Sequence, residues 1–320
     1  MKPRSHNLHL SSVPATSPFS LADDAPYQAW REQKLARIAT DAESLLVPIE
    51  NPLQLNTTER AAIESRCREN NMAIYRVSVS ARTENKQIVH ALGLQLGLCR
   101  LDNNLRSDED DITSLRVVEQ QGNAYIPYTS RPLSWHTDGY YNRLENQVRG
   151  IIMYCVRPAA EGGVNSLLDP ELLYIRLRDV NPDYIRALMQ PLAMTIPPNV
   201  EQGEQIRGAR SGPVFSVDPQ TASLHMRYSA RKRNIKWFDD ELTRDAAALI
   251  TEILKDEAAV ISYRLESGEG IVCNNVLHNR SAFNDDENRP RLLYRARYYD
   301  RVANTGLKQA EQGVSDAHTE

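Results

Sequence analysis

The apolar positions change period near residue 112. Before it they recur at helical spacing; after it they come in short runs broken by Pro, Gly and Asn. Over 27–46, Trp30, Leu35, Ile38, Leu45 and Leu46 supply the apolar side of a predicted helix. A second is expected after Asn56-Thr57-Thr58, where a hydroxyl can cap and Glu59 and Arg60 lead into Ala61-Ala62-Ile63. Met72 through Val79 reads as a strand, and Ile88, Val89, Leu92 and Leu96 mark one side of a helix over 84–98.

Strand-sized runs follow at 115–119, 124–129, 148–156, 164–168, 193–196, 213–217, 223–228, 258–264, 270–276 and 291–299. Helical stretches near 170–189 and 239–256 interrupt them, the second opened by Asp239-Asp240-Glu241. Many short strands with turn signals indicate a sandwich or barrel rather than a βαβ sheet. The expectation is a mainly β chain with flanking helices. A loose segment at 1–20 precedes a single domain at 21–302, and a polar tail occupies 303–320. Within the domain, 21–110 forms a helical N-terminal layer and 111–302 a β core with a helical insert.

Composition removes several classes. With 41% hydrophobic and 25% charged residues, global disorder is excluded. No apolar run approaches 18 residues, which excludes a membrane helix. The net charge of −4 lacks the basic surplus that nucleic-acid binding favours. Arg227, Arg231, Lys232, Arg233 and Lys236 are read as a solvated turn. Cys67, Cys99, Cys155 and Cys273 form no CxxC motif, and the first 20 residues carry no apolar signal segment. A cytoplasmic protein with a small-molecule partner is expected, and homo-oligomerisation is left open.

His6, His9, His90 and His225 have no obvious partner in sequence. His136 differs: in Ser134-Trp135-His136-Thr137-Asp138 it stands two residues before a carboxylate, and an extended chain turns both to one side. Chance supplies such pairs, and His318-Thr319-Glu320, at the end of the tail, is read as accidental. A third ligand raises the first pair. His278 follows the run Gly270-Ile271-Val272-Cys273-Asn274-Asn275. Two imidazoles and a carboxylate are the facial triad of non-haem Fe(II) sites; zinc hydrolases use the same donors, so the triad alone does not name the metal. Downstream, Arg291, Leu293, Arg295 and Arg297 alternate on one side of a strand. Arginines turned into a β core need anions, and a dicarboxylate on the metal would supply them.

The chain here resembles the Fe(II)/2-oxoglutarate-dependent dioxygenases of the taurine dioxygenase superfamily, which includes the gamma-butyrobetaine and glutarate hydroxylases. Trp135-His136-Thr137-Asp138, Gly162-Gly163-Val164-Asn165-Ser166-Leu167, Gly212-Pro213-Val214-Phe215, Glu269-Gly270, Leu277-His278-Asn279-Arg280 and Arg291 through Arg297 carry the resemblance, over 131–299. It implies a double-stranded β-helix, a cupin-like jelly roll. His136, Asp138 and His278 would then be the catalytic iron ligands, and Arg291 would take the distal carboxylate of 2-oxoglutarate. Arg295 would lie near the metal-bound carboxylate or an acidic substrate. A hydroxyl after the Gly-Gly pair would assist Arg291; an extra residue there leaves Asn165 or Ser166 for that place, and Ser166 is preferred. Asn274-Asn275 stands closer to His278 than the family's usual Asp-Asn pair, so that turn is expected to differ.

Tyr128 and Tyr140 either line the substrate pocket or pack on the rim, and Arg227 either meets an acidic substrate or stays structural. The resemblance implies an enzyme that couples oxidative decarboxylation of 2-oxoglutarate, with dioxygen, to hydroxylation of a small carboxylate-bearing substrate. Alternatives are a tailoring oxygenase for a larger or carrier-bound intermediate, and a cupin-like binding protein without turnover.

Overall fold

Two sheets gather most of the expected strands, and the side chains between them come from both. The computed structural model describes residues 13–102, 111–117, 126–201, 203–231 and 235–307. In the larger sheet the spatial order is Leu46–Ile49, Met72–Val77, Glu269–Cys273, Gly150–Arg157, Leu292–Tyr298 and Thr113–Leu115. Only the first pair is parallel. The smaller sheet runs Ile261–Tyr263, Asn165–Leu168, Leu277–Arg280, Leu133–His136, antiparallel throughout.

Alternation along these strands decides what each face buries. Met72, Ile74, Ile151, Cys155, Ile271, Cys273 and Leu293 of the larger sheet share a buried cluster with Leu167 and Ile261 of the smaller one. The intervening residues Ala73, Tyr75, Ile152, Tyr154, Val272, Tyr294 and Ala296 face the opposite way. Helices α2 (Thr57–Asn70) and α3 (Gln87–Gln95) cover them with Ile63, Cys67, Ile88, Val89 and Leu92. The larger sheet is thus buried on both faces, which explains why Glu269–Cys273 reads as a nearly unbroken apolar run. A third cluster joins helices α1 (Ala25–Ala36), α4 (Pro170–Val180), α5 (Pro182–Leu188) and α6 (Glu241–Asp256) to short strands at Met194–Ile196, Phe215–Val217 and Leu224–Met226.

Several expectations are corrected here. The N-terminal layer is not purely helical, because Leu46–Ile49 and Met72–Val77 enter the larger sheet. The helix expected to reach residue 46 ends at Ala36. Leu46 instead pairs with Ile74, since ladder bonds and burial outweigh a weak helical pattern. Asn56, not a hydroxyl, caps α2: its Oδ1 accepts from the Glu59 amide and Glu59 accepts from the Asn56 amide, each at 2.9 Å. In the run expected at 124–129, Ile126–Tyr128 is a 3₁₀ turn, as Pro127 has no N–H for a ladder. The 170–189 helix breaks at Asn181, which Pro182 drives to extended backbone (φ −160°, ψ 113°). Among the described residues no helix is long and apolar enough to cross a membrane.

Candidate active site

The register of the smaller sheet brings the two histidines together. His278 pairs directly with His136 on the neighbouring strand, and their ring centroids lie 4.2 Å apart. Asp138 follows two residues after His136, its carboxylate 3.6 Å from His136 Nε2. The ligand atoms of His136, Asp138 and His278 all lie within 4.8 Å of one another, the one such cluster of three among the described residues. Each Nδ1 sits 2.9 Å from a backbone carbonyl, Ser134 O for His136 and Val276 O for His278. A carbonyl only accepts, so each Nδ1 carries the hydrogen and each Nε2 keeps its lone pair for a cation.

Electrostatics hold the donors in their binding forms. Burial and the neighbouring His136 push the His278 imidazole down to about 4, so it is neutral at pH 7. Burial alone would raise the Asp138 carboxyl, but the Arg295 guanidinium, with His136 and Arg297, holds it well below the usual range. Arg295 Nη1 reaches both Asp138 oxygens, at 3.3 and 3.2 Å. Asp138 Oδ2 is nevertheless buried without a hydrogen bond. Two imidazoles that each turn Nε2 outward, with a carboxylate that keeps an unfilled lone pair, fit a divalent cation of the iron class.

Asn275 sets the backbone at Asp138. Its Oδ1 accepts from the Asp138 amide at 2.8 Å, while its Nδ2 donates to Asp138 O at 2.9 Å and Val148 O at 2.6 Å. Asn275 has φ +53°, a left-handed conformation that asparagine tolerates better than most residues. Behind it, Asn274 donates to Asn71, Asn71 donates to Asp169, and Asp169 pairs with Lys34 at 2.6 Å. A buried polar chain therefore runs from α1 to the turn before His278.

Arginines 291, 295 and 297 share the face between the sheets, as the alternation predicts. Arg297 pairs with Asp102 (2.5 Å) and donates to Tyr141 Oη (2.9 Å). Tyr141 stands edge-on to Tyr140, and Tyr140 edge-on to His136, with centroids 5.2 and 6.4 Å apart. Arg291 is buried, and no acceptor for its guanidinium is found among the described residues; it rests against the Phe283 ring at 5.0 Å. It opens on a small pocket shared with Gly162, Gly163, Asn165, Cys155, Arg264 and Leu293. Gly162 (φ +72°) and Gly163 (φ +69°) shape its wall, and a Cβ at Gly162 would stand 2.3 Å from Ala282 O. Asn165 lies two residues from Leu167, the partner of His278. Asn165 and Leu167 are thus about 7 Å apart along their strand, comparable to the length of a short diacid.

A family model for the taurine catabolism dioxygenase TauD, TfdA family matches residues 34–297. The chain belongs to this family. It is an Fe(II)/2-oxoglutarate-dependent dioxygenase. A uridine-5'-phosphate dioxygenase of a Streptomyces species is 27% identical over 204 residues, covering 60% of this chain and 71% of that one. One from an Amycolatopsis species is 29% identical over 174 residues, 51% of this chain and 60% of that one. Among solved structures, asparagine oxygenase with Fe(II), hydroxyasparagine and succinate has a TM-score of 0.56 at 15% identity, covering 76% of this chain and 80% of its own. The non-heme iron oxygenase OrfP with Fe, succinate and (3S)-hydroxy-L-Arg reaches 0.59 at 13% identity, covering 82% and 85%. At such identities the likeness to the two structures is one of fold.

Ser166 of the dioxygenase lies elsewhere than expected, and Arg227 takes the structural one of its two expected roles. Ser166 is turned away from Arg291: it pairs with Ser262 and Asn279 on the outer face, its hydroxyl 3.5 Å from that of Ser262. Asn165 takes the inward position, buried at the pocket beside Arg291. Arg227 does not face the site as a free cation. Its guanidinium is buried and donates to the carbonyls of Pro213, Tyr140, Arg210, Met194 and Gly212. It ties loops together, and burial pushes it down to about 10. Tyr128 packs half-buried against the inter-sheet cluster, whereas Tyr140 stays beside His136. Residues 124 and 125 of the run expected at 124–129, and His318, lie outside the described residues.

The roles of Asn275, Arg280 and Asp102 were not legible in the sequence. Arg280 is opposite Asn165 and holds the 129–131 turn through Thr129 O and Arg131 O. For Asn275 a signal existed, an Asn-Asn pair before an apolar strand, yet only its partners reveal the clamp.

Proposed function

We propose that the dioxygenase hydroxylates a small anionic organic substrate held over His136, Asp138 and His278, with 2-oxoglutarate reaching from the metal to Arg291. The observation that carries this reading is the pair formed by the triad and the buried Arg291 pocket, joined by the strand of Asn165 and Leu167. His136 and His278 would offer Nε2 and Asp138 a carboxylate oxygen to Fe(II), which, with the bound keto acid and dioxygen, supplies the oxidising chemistry. Arg291 would bind the distal carboxylate through its planar fork, with Asn165 as neighbour. Arg295 keeps Asp138 ionised, and its Nε is buried without an acceptor, a donor suited to a carboxylate on the metal. The sheets and bulky neighbours exclude water, and Tyr140 and Tyr141 would line the substrate side. We also infer that the two facing sheets are the halves of a double-stranded β-helix, a reading supported by the fold shared with asparagine oxygenase and OrfP.

The curated relatives named for uridine-5'-phosphate support a phosphorylated substrate beside the carboxylate-bearing one expected from sequence. A larger, carrier-bound intermediate is the second reading. Anaerobic addition of Fe(II) and 2-oxoglutarate should produce the weak visible band of a chelated keto acid. His278→Ala should abolish that band and His318→Ala should leave it. A wild-type protein that binds neither component would refute the assignment.

A further inference from the structure

Strands Asn199–Glu201 and Glu204–Arg207 form a hairpin, and Arg210–Gly212 then pairs with Met194–Ile196. Among the described residues, Arg207 donates to Gly208 O (3.0 Å) and Pro197 O (2.8 Å), and Arg210 to Ala209 O (3.2 Å). Neither guanidinium has an acidic partner among the described residues, and the two approach each other at Gly208, whose carbonyl accepts from Arg207 Nη1 at 3.0 Å and where an added Cβ would stand 3.6 Å from Arg210 Nη1. Two neighbouring guanidiniums have the donors to grip one anion between them.

Their place in the fold says which anion. One nitrogen of Arg227, Nη1, donates both to Tyr140 O (3.3 Å) and to Arg210 O (3.4 Å). Tyr140 in turn stands edge-on to His136. The base of the hairpin is therefore fastened to the residue that touches the first metal ligand, and Arg227 acts as a positioning residue. Tyr140 also stands edge-on to Tyr141, whose hydroxyl accepts from Arg297. Arg291 lies in a different pocket, whose lining includes neither tyrosine.

We propose that Arg207 and Arg210 form a second anion subsite, on the substrate side of the triad, that grips the phosphate of a phosphate monoester. This rests on the dioxygenase reading of the triad and narrows its substrate class. A phosphate monoester carries about −1.5 to −2 charge at neutral pH and three acceptor oxygens, enough to engage two guanidinium forks. A monocarboxylate satisfies one fork and leaves the other unpaired. Val200 and Ile206 on the hairpin are 55% and 43% exposed and offer apolar surface to the organic part of the substrate.

The test maps arginine modification by phenylglyoxal on anaerobic protein loaded with Fe(II) and 2-oxoglutarate, in the presence of methyl phosphate or acetate. Methyl phosphate should slow modification of both Arg207 and Arg210 about fivefold or more, and acetate at the same concentration less than about twofold. In calorimetric titrations, Arg207→Gln and Arg210→Gln should each weaken methyl phosphate binding about tenfold or more. Unprotected arginines up to about 0.1 M methyl phosphate, a very weak affinity, equal protection by acetate, or wild-type affinity in both variants overturns the subsite. The keto-acid band of the wild-type protein separates the two failures. A band with unprotected arginines refutes the subsite alone, and a missing band refutes the reading of the triad.

Discussion

Asn275 holds Asp138 from both sides, accepting from its amide at 2.8 Å and donating to its carbonyl at 2.9 Å. The side chain of one turn thereby fixes the backbone of another, and with it the direction of the carboxylate beside His136. Asn275→Asp preserves a residue that accepts left-handed backbone but removes both Nδ2 donors. It should weaken Fe(II) affinity about 10- to 100-fold, the usual effect of losing a group that orients a ligand. Anaerobic Fe(II) titration with 2-oxoglutarate present, read on the visible band, measures this; unchanged affinity would mean that the clamp does not matter to the ion.

Arg291→Ala should leave iron affinity near wild type and reduce 2-oxoglutarate affinity. Losing a charge-assisted pair in a partly dry pocket costs roughly 2–5 kcal/mol, about thirty- to several-thousand-fold. Arg291→Lys should recover part of this, since an ammonium lacks the planar fork. A keto-acid affinity within about threefold of wild type would move the role to Arg295 or Arg297.

Asn165 and Ser166 are adjacent and face opposite ways. Asn165→Ala should weaken 2-oxoglutarate binding about five- to thirtyfold, the range for one lost polar contact near a charge. Ser166→Ala should change it by less than about twofold, as an exposed hydroxyl does little. The reverse order would show that the strand register misplaces this edge of the pocket.

Acid should destabilise the metal-free protein in a window set by His278 and His225. His278 is held down to about 4 and His225 to about 3, both chiefly by burial. Between pH 6.5 and about 4 the unfolded chain takes up protons at these residues that the folded chain refuses, so stability falls as pH falls. Thermal unfolding of wild type should show a steeper loss from pH 7 to pH 4.5 than that of His225→Asn. Identical slopes would remove His225 from the account.

Much of the site could be read along the chain because its units are local. His136 and Asp138 are two residues apart on extended backbone, and Arg291, Arg295 and Arg297 keep the period of a strand, so each set shares a face before any fold is known. The strand-sized runs were equally legible, as were the helices at α2, α3 and α6, because burial on one side leaves its period in the sequence. The 124–129 run failed where Pro127 interrupts a ladder, and the α4–α5 break lay at a proline inside a continuous apolar pattern.

The sequence by itself determined which side chains could form a metal triad, which arginines would turn inward, and that the chain would be mainly β. Only the tertiary structure decided that His278 stands opposite His136, that Asn165 rather than Ser166 faces Arg291, and that Arg227 is consumed by five backbone carbonyls. The reason is register. A strand with period two exchanges its faces when pairing shifts by one residue, and the shift is set by partners far away in the chain. The acceptors that satisfy a buried arginine are likewise backbone atoms, which every residue carries, so no residue type in the sequence marks them.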